Sequence, residues 1–208
     1  ICFAGSSRID PHGHLLKKDN DYWSRNPMLH RRGYRVLDGM AYIVHNLYWR
    51  NYIYNASGAL FKKDALKDVD LSSCTAMHCC GDWLFWAKLA AHGQVIEIYK
   101  KLNYFRSHEV SASTQGRRTG TALKEDFRVV KDLEEAFPTI GIYRRTLRRG
   151  QFYKHIRRMH ASPTVKQELF DALNDTLGGS MKDYLLERAN RYAGFLCPFL
   201  LTDKRHRL

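Results

Sequence analysis

Hydrophobic and polar residues follow different periods on the two sides of a polar stretch at 107–121, which is rich in Ser, Thr, Gly and Arg. Before this stretch, short β-branched and aromatic runs alternate with segments that have apolar residues at helical spacing. After it, only helical spacing occurs. The pattern therefore predicts an α/β layer followed by an all-helical C-terminal region.

The α/β part is predicted to occupy residues 1–113. Strands are predicted at 1–4, 51–61 and 94–99. Helices are predicted from Asp38, a candidate N-cap, to Tyr48, in a short stretch after Asp64, and from 83 to 91. We expect a turn at Asp10–Gly13 and irregular chain from there to Gly33.

The helical region is predicted to occupy residues 122–208, with 114–121 as a mobile linker. One helix is expected around 123–133, and a second over 165–177, where Gly178 and Gly179 end it. Ser180 and Asp183 have the spacing of a capping box and predict the start of a last helix.

Composition favours a folded protein with a hydrophobic core over a membrane-spanning or disulfide-rich one. The 208 residues are 44% hydrophobic, enough for a sizeable core, and no stretch approaches the roughly 20 apolar residues of a membrane-spanning helix. Five cysteines, an odd number, favour reduced thiols. We expect a cytoplasmic protein, and the first residue, Ile1, suggests a processed product or a piece of a longer chain.

Three segments carry candidate chemistry. The first is Gly81-Asp82-Trp83-Leu84-Phe85-Trp86, and the second, one predicted helix and strand later, is Leu102-Asn103-Tyr104-Phe105-Arg106-Ser107-His108. The third, upstream, is Asn55-Ala56-Ser57-Gly58-Ala59-Leu60-Phe61. Over residues 1–113 these segments resemble bacterial family 2 glycosyltransferases, and Ile1–Gly13 is similar to the chain that follows their metal-binding Asp-x-Asp motif.

The resemblance implies a partial A-type glycosyltransferase fold and inverting transfer of a sugar from a nucleotide diphosphate sugar. The acceptor would be a glycan or a lipid-linked acceptor in cell-surface polysaccharide synthesis. It also implies a divalent metal, Mg or Mn, for the full-length enzyme. The donor-binding half would precede Ile1, so we expect the chain alone to be inactive or nearly so.

The same resemblance assigns roles to residues of this chain. Asp82 matches the general base that takes the proton of the acceptor hydroxyl. Arg106 and His108 match the vicinity of the donor diphosphate and metal, and His108 is the one candidate metal ligand. The acceptor side is assigned to Ser57, Gly58, Gly81 and Trp83.

Each of these residues also has a purely structural interpretation. An Asp just before an apolar helix is a good N-cap, whether or not it takes part in chemistry. Arg106 and His108 can simply end a strand in solvent. Trp83 can stack on a sugar or, at helical spacing, belong to the core.

Two further sets of residues contain metal-ligand types. Asp19-Asn20-Asp21 has the spacing of an Asp-x-Asp motif, but no apolar strand leads into it, and Asp68-Val69-Asp70 fails for the same reason. The second set is Cys74, His78, Cys79 and Cys80, which lacks the paired spacing of a zinc site and favours buried thiols.

The formal charge of +13 predicts attraction to anions. Basic and apolar residues mix over 143–159, which fits either a helix on an anionic membrane surface or a solvated basic face. We expect a nucleotide sugar and its acceptor as partners, no nucleic acid, and a place at the inner membrane. The alternative functions are a basic nucleic-acid-binding module and a non-catalytic helical adaptor.

Overall fold

The computed structural model describes residues 1–17, 21, 23, 27–107, 116 and 119–196. The chain is an α/β protein with a small mixed sheet and several helices, as the sequence predicts. The described residues fall into two compact units. Unit 1 contains residues 1–76 and 81–107, and unit 2 contains 77–80 and the described residues from 116 onward.

Unit 1 is built on a four-stranded sheet in the order β2-β4-β1-β3. Its strands are β1 (Cys2–Ile9), β2 (Tyr34–Asp38), β3 (Ala59–Leu60) and β4 (Gln94–Arg106). The two central strands, β1 and β4, are parallel, and each outer strand is antiparallel to its neighbour.

The central strands begin where the sequence predicts but run further. β1 continues past Ala4 to Ile9, and β4 continues past Tyr99 to Arg106, because their backbones pair with each other over this whole length. The register shifts on both sides of Gly5, so the pairing contains an irregularity there. Backbone pairing does not require apolar side chains, which is why the hydrophobic pattern stops short of the strand ends.

Two predictions in unit 1 are wrong. The chain before Gly33 is not irregular throughout, since α1 (Pro27–Arg32) lies in it, and β2 follows directly. The predicted strand over 51–61 is reduced to the two residues of β3. Side-chain oxygens of Asn51 and Asn55 accept hydrogen bonds from the backbone two residues on, at 3.0 and 3.2 Å, and these Asx turns replace strand pairing.

The predicted helix after Asp38 is present, and Asp38 is its N-cap, accepting a hydrogen bond of 2.8 Å from the Ala41 amide. It comprises α2 (Gly39–Tyr42) and a π-helical turn over Ile43–Leu47, and it supplies much of the core of unit 1. Further helical segments of unit 1 are the 3-10 helices at Ala56–Gly58 and Lys63–Asp68, α3 (Ser72–Thr75) and α4 (Gly81–Ala90).

Unit 2 contains α5 (Thr121–Ala136), α6 (Ile142–Arg158), α7 (Pro163–Leu177) and α8 (Met181–Leu196). Gly178 ends α7 in the left-handed region at φ 67°, as its position in the sequence indicates. One half of the predicted capping box is present at the start of α8, where the Asp183 carboxylate accepts hydrogen bonds from the Ser180 amide and hydroxyl at 2.8 and 2.9 Å. No described helix is both long and apolar enough to cross a bilayer.

A buried carboxylate anchors the short segment 77–80 within unit 2. Glu125, on α5, is 4% exposed and accepts hydrogen bonds from three consecutive backbone amides. The His78 amide donates at 2.8 Å, the Cys79 amide at 2.7 Å and the Cys80 amide at 2.9 Å. Because charge-assisted hydrogen bonds are the strong ones, this single side chain fixes the backbone just ahead of the Gly81-Asp82 pair.

Glu125→Ala is expected to lower the free energy of unfolding of unit 2 by about 3 kcal/mol, because three enclosed amides lose their acceptor. Urea unfolding followed by circular dichroism measures the change. Glu168→Ala is the matched control, since that exposed carboxylate only faces Lys124 at 3.4 Å and should cost less than about 1 kcal/mol. Equal effects of the two substitutions would contradict the anchoring role.

Candidate active site

Asp82 lies in the first turn of α4, one residue inside the helix rather than at its cap. Its Oδ1 atom accepts a hydrogen bond from the Trp83 amide at 2.7 Å, and its Oδ2 atom accepts one from the Asn51 side-chain amide at 3.3 Å. The residue is exposed at the surface. The carboxylate is therefore held from two sides and still reachable from solvent.

Neighbouring protein atoms crowd the Asp82 carboxyl group, and this desolvation raises its pKa above the ordinary value for aspartate. Hydrogen bonds from Trp83 and Asn51 favour the ionised form and oppose the shift. A carboxylate with a raised pKa binds a proton more readily, which suits a general base.

Contacts at the two ends of α4 fix the position of Asp82 relative to strand β4. At one end of α4, Gly39 approaches the Ala90 carbonyl so closely that no Cβ atom would fit, and the Gly39 amide donates to the Gly93 carbonyl at 2.9 Å. At the other end, the Trp83 indole donates to the Leu47 carbonyl at 2.7 Å. Since β4 starts beside Gly39, Asp82 lies a helix length away from the start of that strand.

Trp83 has a structural role in this arrangement. Its side chain is 3% exposed, and its ring packs in the core of unit 1. Its indole N–H donates to the backbone carbonyl of Leu47. The ring is therefore not presented to a ligand, in agreement with the core interpretation. Gly81 is the first residue of α4 and directly precedes Asp82.

Arg106 is the last residue of β4 and lies opposite Ile9, the last residue of β1. Its Nη1 atom donates to the backbone carbonyls of Pro11 and Asp10 at 2.8 and 3.3 Å. The side chain is exposed, so it both fixes the turn after β1 and places a positive charge at this edge of the sheet. Asp82 and Arg106 do not bond to each other. His108 lies outside the described residues.

Ser57 and Gly58 lie beside a polar cluster that spans the sheet. Ser57 is exposed, in the 3-10 turn capped by Asn55. Gly58 approaches the side chain of Asn103 on β4 so closely that a Cβ atom would overlap it. The two residues therefore sit over the sheet at the irregular part of the β1–β4 pairing.

The sequence did not single out the members of this cluster, which are Ser6, Asn55 and Asn103. The Ser6 hydroxyl donates to the Asn103 carbonyl oxygen, and the Asn55 amide donates to Asn103 at 2.7 Å and to Ser6 at 3.0 Å. Ser6 is 2% exposed. A buried polar residue inside a strand is the signal that points to such a network, but only the pairing of β1 with β4 shows its partners.

Tyr54 extends the cluster toward Asp21. The Tyr54 hydroxyl donates to the Asp21 carboxylate at 3.1 Å. Desolvation and the adjacent carboxylate raise the pKa of Tyr54 to about 12, so the hydroxyl stays protonated at neutral pH. Asp21 thus takes part in a hydrogen bond within unit 1, while Asp19 and Asn20 lie outside the described residues.

Within the described ranges, no group of three or more His, Cys, Asp or Glu side chains is arranged to hold a metal ion. Cys2, Cys74, Cys79 and Cys80 are free thiols, and Cys197 lies outside the described part. Burial, with Asp126 at 3.2 Å from the sulfur, raises the pKa of the Cys80 thiol. Cys74 and Cys80 are buried, as predicted, whereas Cys79 is half-buried.

No family model, curated protein or solved structure matches this chain. The interpretation of the site therefore depends on its geometry and on the resemblance of its motifs. The structure shows an exposed, hydrogen-bonded carboxylate, Asp82, in the first turn of α4 and a cation, Arg106, at the end of β4.

Asp82→Asn is expected to raise the thermal stability of the protein slightly at pH 7. Because the folded-state pKa of Asp82 is raised, the wild type loses stability as the pH rises through that pKa, and asparagine has no such loss. The gain in Tm should shrink as the pH falls below the ordinary aspartate range. Thermal melts from pH 3.5 to 8 measure it, with exposed Asp64→Asn as the control. A gain that does not depend on pH would contradict this cause.

Gly58→Ala is expected to lower the free energy of unfolding by about 1–3 kcal/mol, because the added Cβ atom would displace Asn103 from its hydrogen bonds. Gly93→Ala is the matched control in the same unit. A Cβ atom at Gly93 meets nothing within 4 Å, so the change should stay within about 0.5 kcal/mol. Chemical denaturation of both variants tests the difference.

Proposed function

We propose that this chain is the acceptor-side part of a family 2 glycosyltransferase with an A-type fold, and that Asp82 is its general base. The observation that supports the proposal most directly is the Asp82 carboxyl group. It is exposed, hydrogen-bonded to Asn51, and has a raised pKa. These properties suit a group that takes a proton from an alcohol near neutral pH.

The proposed reaction is a single displacement at the anomeric carbon of a nucleotide diphosphate sugar. An acceptor hydroxyl forms the new C–O bond, its proton passes to Asp82, and the bond between the sugar and the diphosphate breaks with inversion. The leaving diphosphate gains negative charge, which a nearby cation stabilises. Arg106 supplies a cation at the edge where β1 and β4 end, and His108 follows two residues later.

In this proposal Ser57 and Gly58 form the acceptor side. The close fit of Gly58 against Asn103 leaves the 3-10 turn lying directly over the sheet, with Ser57 exposed to a ligand. Gly81 keeps the start of α4 free of a side chain next to Asp82. Trp83 contributes by holding α4 on the Leu47 carbonyl rather than by stacking on a sugar.

The proposed donor is a nucleotide diphosphate sugar, and the proposed cofactor is a divalent metal, Mg or Mn. The described residues do not provide a metal-binding group, and no step above passes through the metal. When bound, a divalent ion would supply positive charge that stabilises the leaving diphosphate. The proposed setting is cytoplasmic, at the inner surface of the membrane, in the synthesis of cell-surface polysaccharide.

The proposed membrane contact through 143–159 is limited by the packing of α6. Of the apolar residues of this segment, Leu147, Phe152 and Ile156 are buried in unit 2 at 2% exposure or less, whereas Tyr143 is 47% exposed. Contact with an anionic surface would therefore use the basic side chains and Tyr143 rather than a continuous apolar face.

Asp82→Asn is expected to reduce the rate of sugar transfer by about 10²–10⁴-fold, the usual contribution of a general base. The assay uses the full-length protein, with panels of UDP- and GDP-sugars and hydroxyl acceptors. Asp64→Asn, at an exposed site away from α4, should keep the wild-type rate. An unchanged rate in Asp82→Asn, with circular dichroism showing a folded protein, would remove Asp82 from the mechanism.

The pH dependence of transfer gives a second test. The Asn51 hydrogen bond favours the ionised Asp82, so Asn51→Ala is expected to raise the pKa of Asp82 further. The acid side of the pH–rate profile should then move to higher pH, with less change in the rate at its plateau. An acid limb that stays in place would show that another group limits the rate.

A further inference from the structure

Three arginines in the first half of α6 contact groups within unit 2. Arg149 donates to the buried Glu134 carboxylate at 2.9 Å, and Arg145 donates to the Ile140 and Glu134 backbone carbonyls at 2.7 and 2.9 Å. Arg148 is 7% exposed and lies 3.9 Å over the Phe152 ring. These three side chains of α6 stabilise the unit and are not offered to a ligand.

The arginines at the other end of α6 are arranged differently. Together with residues of α8 they line an open cleft of about 590 Å³. Its lining residues are Arg158, Tyr184, Arg188, Arg191 and Tyr192. Over the residues that the structure describes, this lining contains no carboxylate.

The guanidinium groups of the cleft are partly fixed in position by aromatic rings. Arg188 lies 5.6 Å from the centre of the Tyr192 ring, and the neighbouring Arg157 lies 5.1 Å from that of Tyr184. Tyr184 itself stacks on Tyr153 at 5.7 Å. Aromatic packing of this kind holds cations in place without neutralising them.

Only one of the three lining arginines has a carboxylate partner within the described part of the chain. Arg191 bonds to Glu187 at 2.8 Å, and Glu187 is buried at 4% exposure and is not among the residues that line the cleft. Arg158 and Arg188, from two different helices, are exposed and retain their charge toward the opening. The C-terminal end of α6 adds a partial negative charge that helps hold Arg158 there.

We propose that this cleft binds a phosphate or diphosphate group of an organic ligand, between Arg158 and Arg188, with the Tyr184 and Tyr192 hydroxyls as further donors. Guanidinium groups match phosphate oxygens with paired hydrogen bonds, and two of them from separate helices can hold one group from opposite sides. The proposal does not depend on glycosyl transfer, since no residue of unit 1 takes part.

The phosphate can belong to a soluble ester or to a phospholipid headgroup, and α8 offers a way to distinguish them. Leu185 is 54% exposed on the same helix, three residues before Arg188 and so on the adjoining face. A bilayer that presented a headgroup to the cleft would also contact this side chain. A soluble phosphate ester would not need it.

Titration of the protein with inorganic pyrophosphate at constant ionic strength, followed by calorimetry, tests the site. Saturable binding is expected, and the double variant Arg158→Gln, Arg188→Gln should weaken it by at least about tenfold. The matched control, Arg32→Gln with Arg128→Gln, removes the same charge at exposed positions elsewhere and should leave the affinity unchanged. Circular dichroism confirms that both variants are folded.

Vesicles of phosphatidylcholine with and without phosphatidylglycerol identify the source of the phosphate. Binding to the anionic vesicles alone, lost in Leu185→Ser while pyrophosphate affinity is kept, supports a headgroup. Pyrophosphate binding without vesicle binding supports a soluble ester. The proposal is overturned if pyrophosphate does not bind saturably, or if both arginine double variants weaken it equally, which would show only general attraction by the net charge.

Discussion

The parallel pairing of β1 with β4 is the contact on which unit 1 depends. It joins strands that lie more than 80 residues apart in sequence, and the other strands add only to its outer edges. Closing so long a connection has an entropic cost, which the burial of α2 and α4 against the rest of the unit must offset. The pairing also places Ser6 opposite Asn103 and Ile9 opposite Arg106, so both polar features of the site are consequences of one register.

Asp82 shows how a single position can serve both folding and chemistry. In the first turn of a helix a carboxylate is favoured by the helix dipole and by backbone amides, yet crowding by the protein disfavours its charge. The hydrogen bonds from Asn51 and the Trp83 amide favour the ionised form and oppose this rise in the pKa. Desolvation of the Asp82 carboxylate therefore has two effects. It makes the folded state less stable at neutral pH, and it makes the carboxylate bind a proton more readily.

The net charge of a basic protein does not show which of its cationic side chains are open to a ligand, and unit 2 is an example. The arginines of the middle of α6 bind Glu134, backbone carbonyls and an aromatic ring, and its apolar side forms the core. Where α6 ends beside α8, by contrast, three arginines line an open cleft. A phosphate site there and a sugar-transfer site in unit 1 are separable by substitution, because they share no residue.

Local signals in the sequence determined the helix ends, since caps such as Asp38, Gly178 and the Ser180–Asp183 box act through residues only a few positions away. The same holds for the start of β1 and β4, where apolar runs are enough. The sequence could not show that Glu125 holds 78–80, that Asn55 and Asn103 share a cluster, or that 51–61 turns instead of pairing. Those features depend on partners distant in the chain, and only the tertiary structure brings such partners within hydrogen-bonding distance.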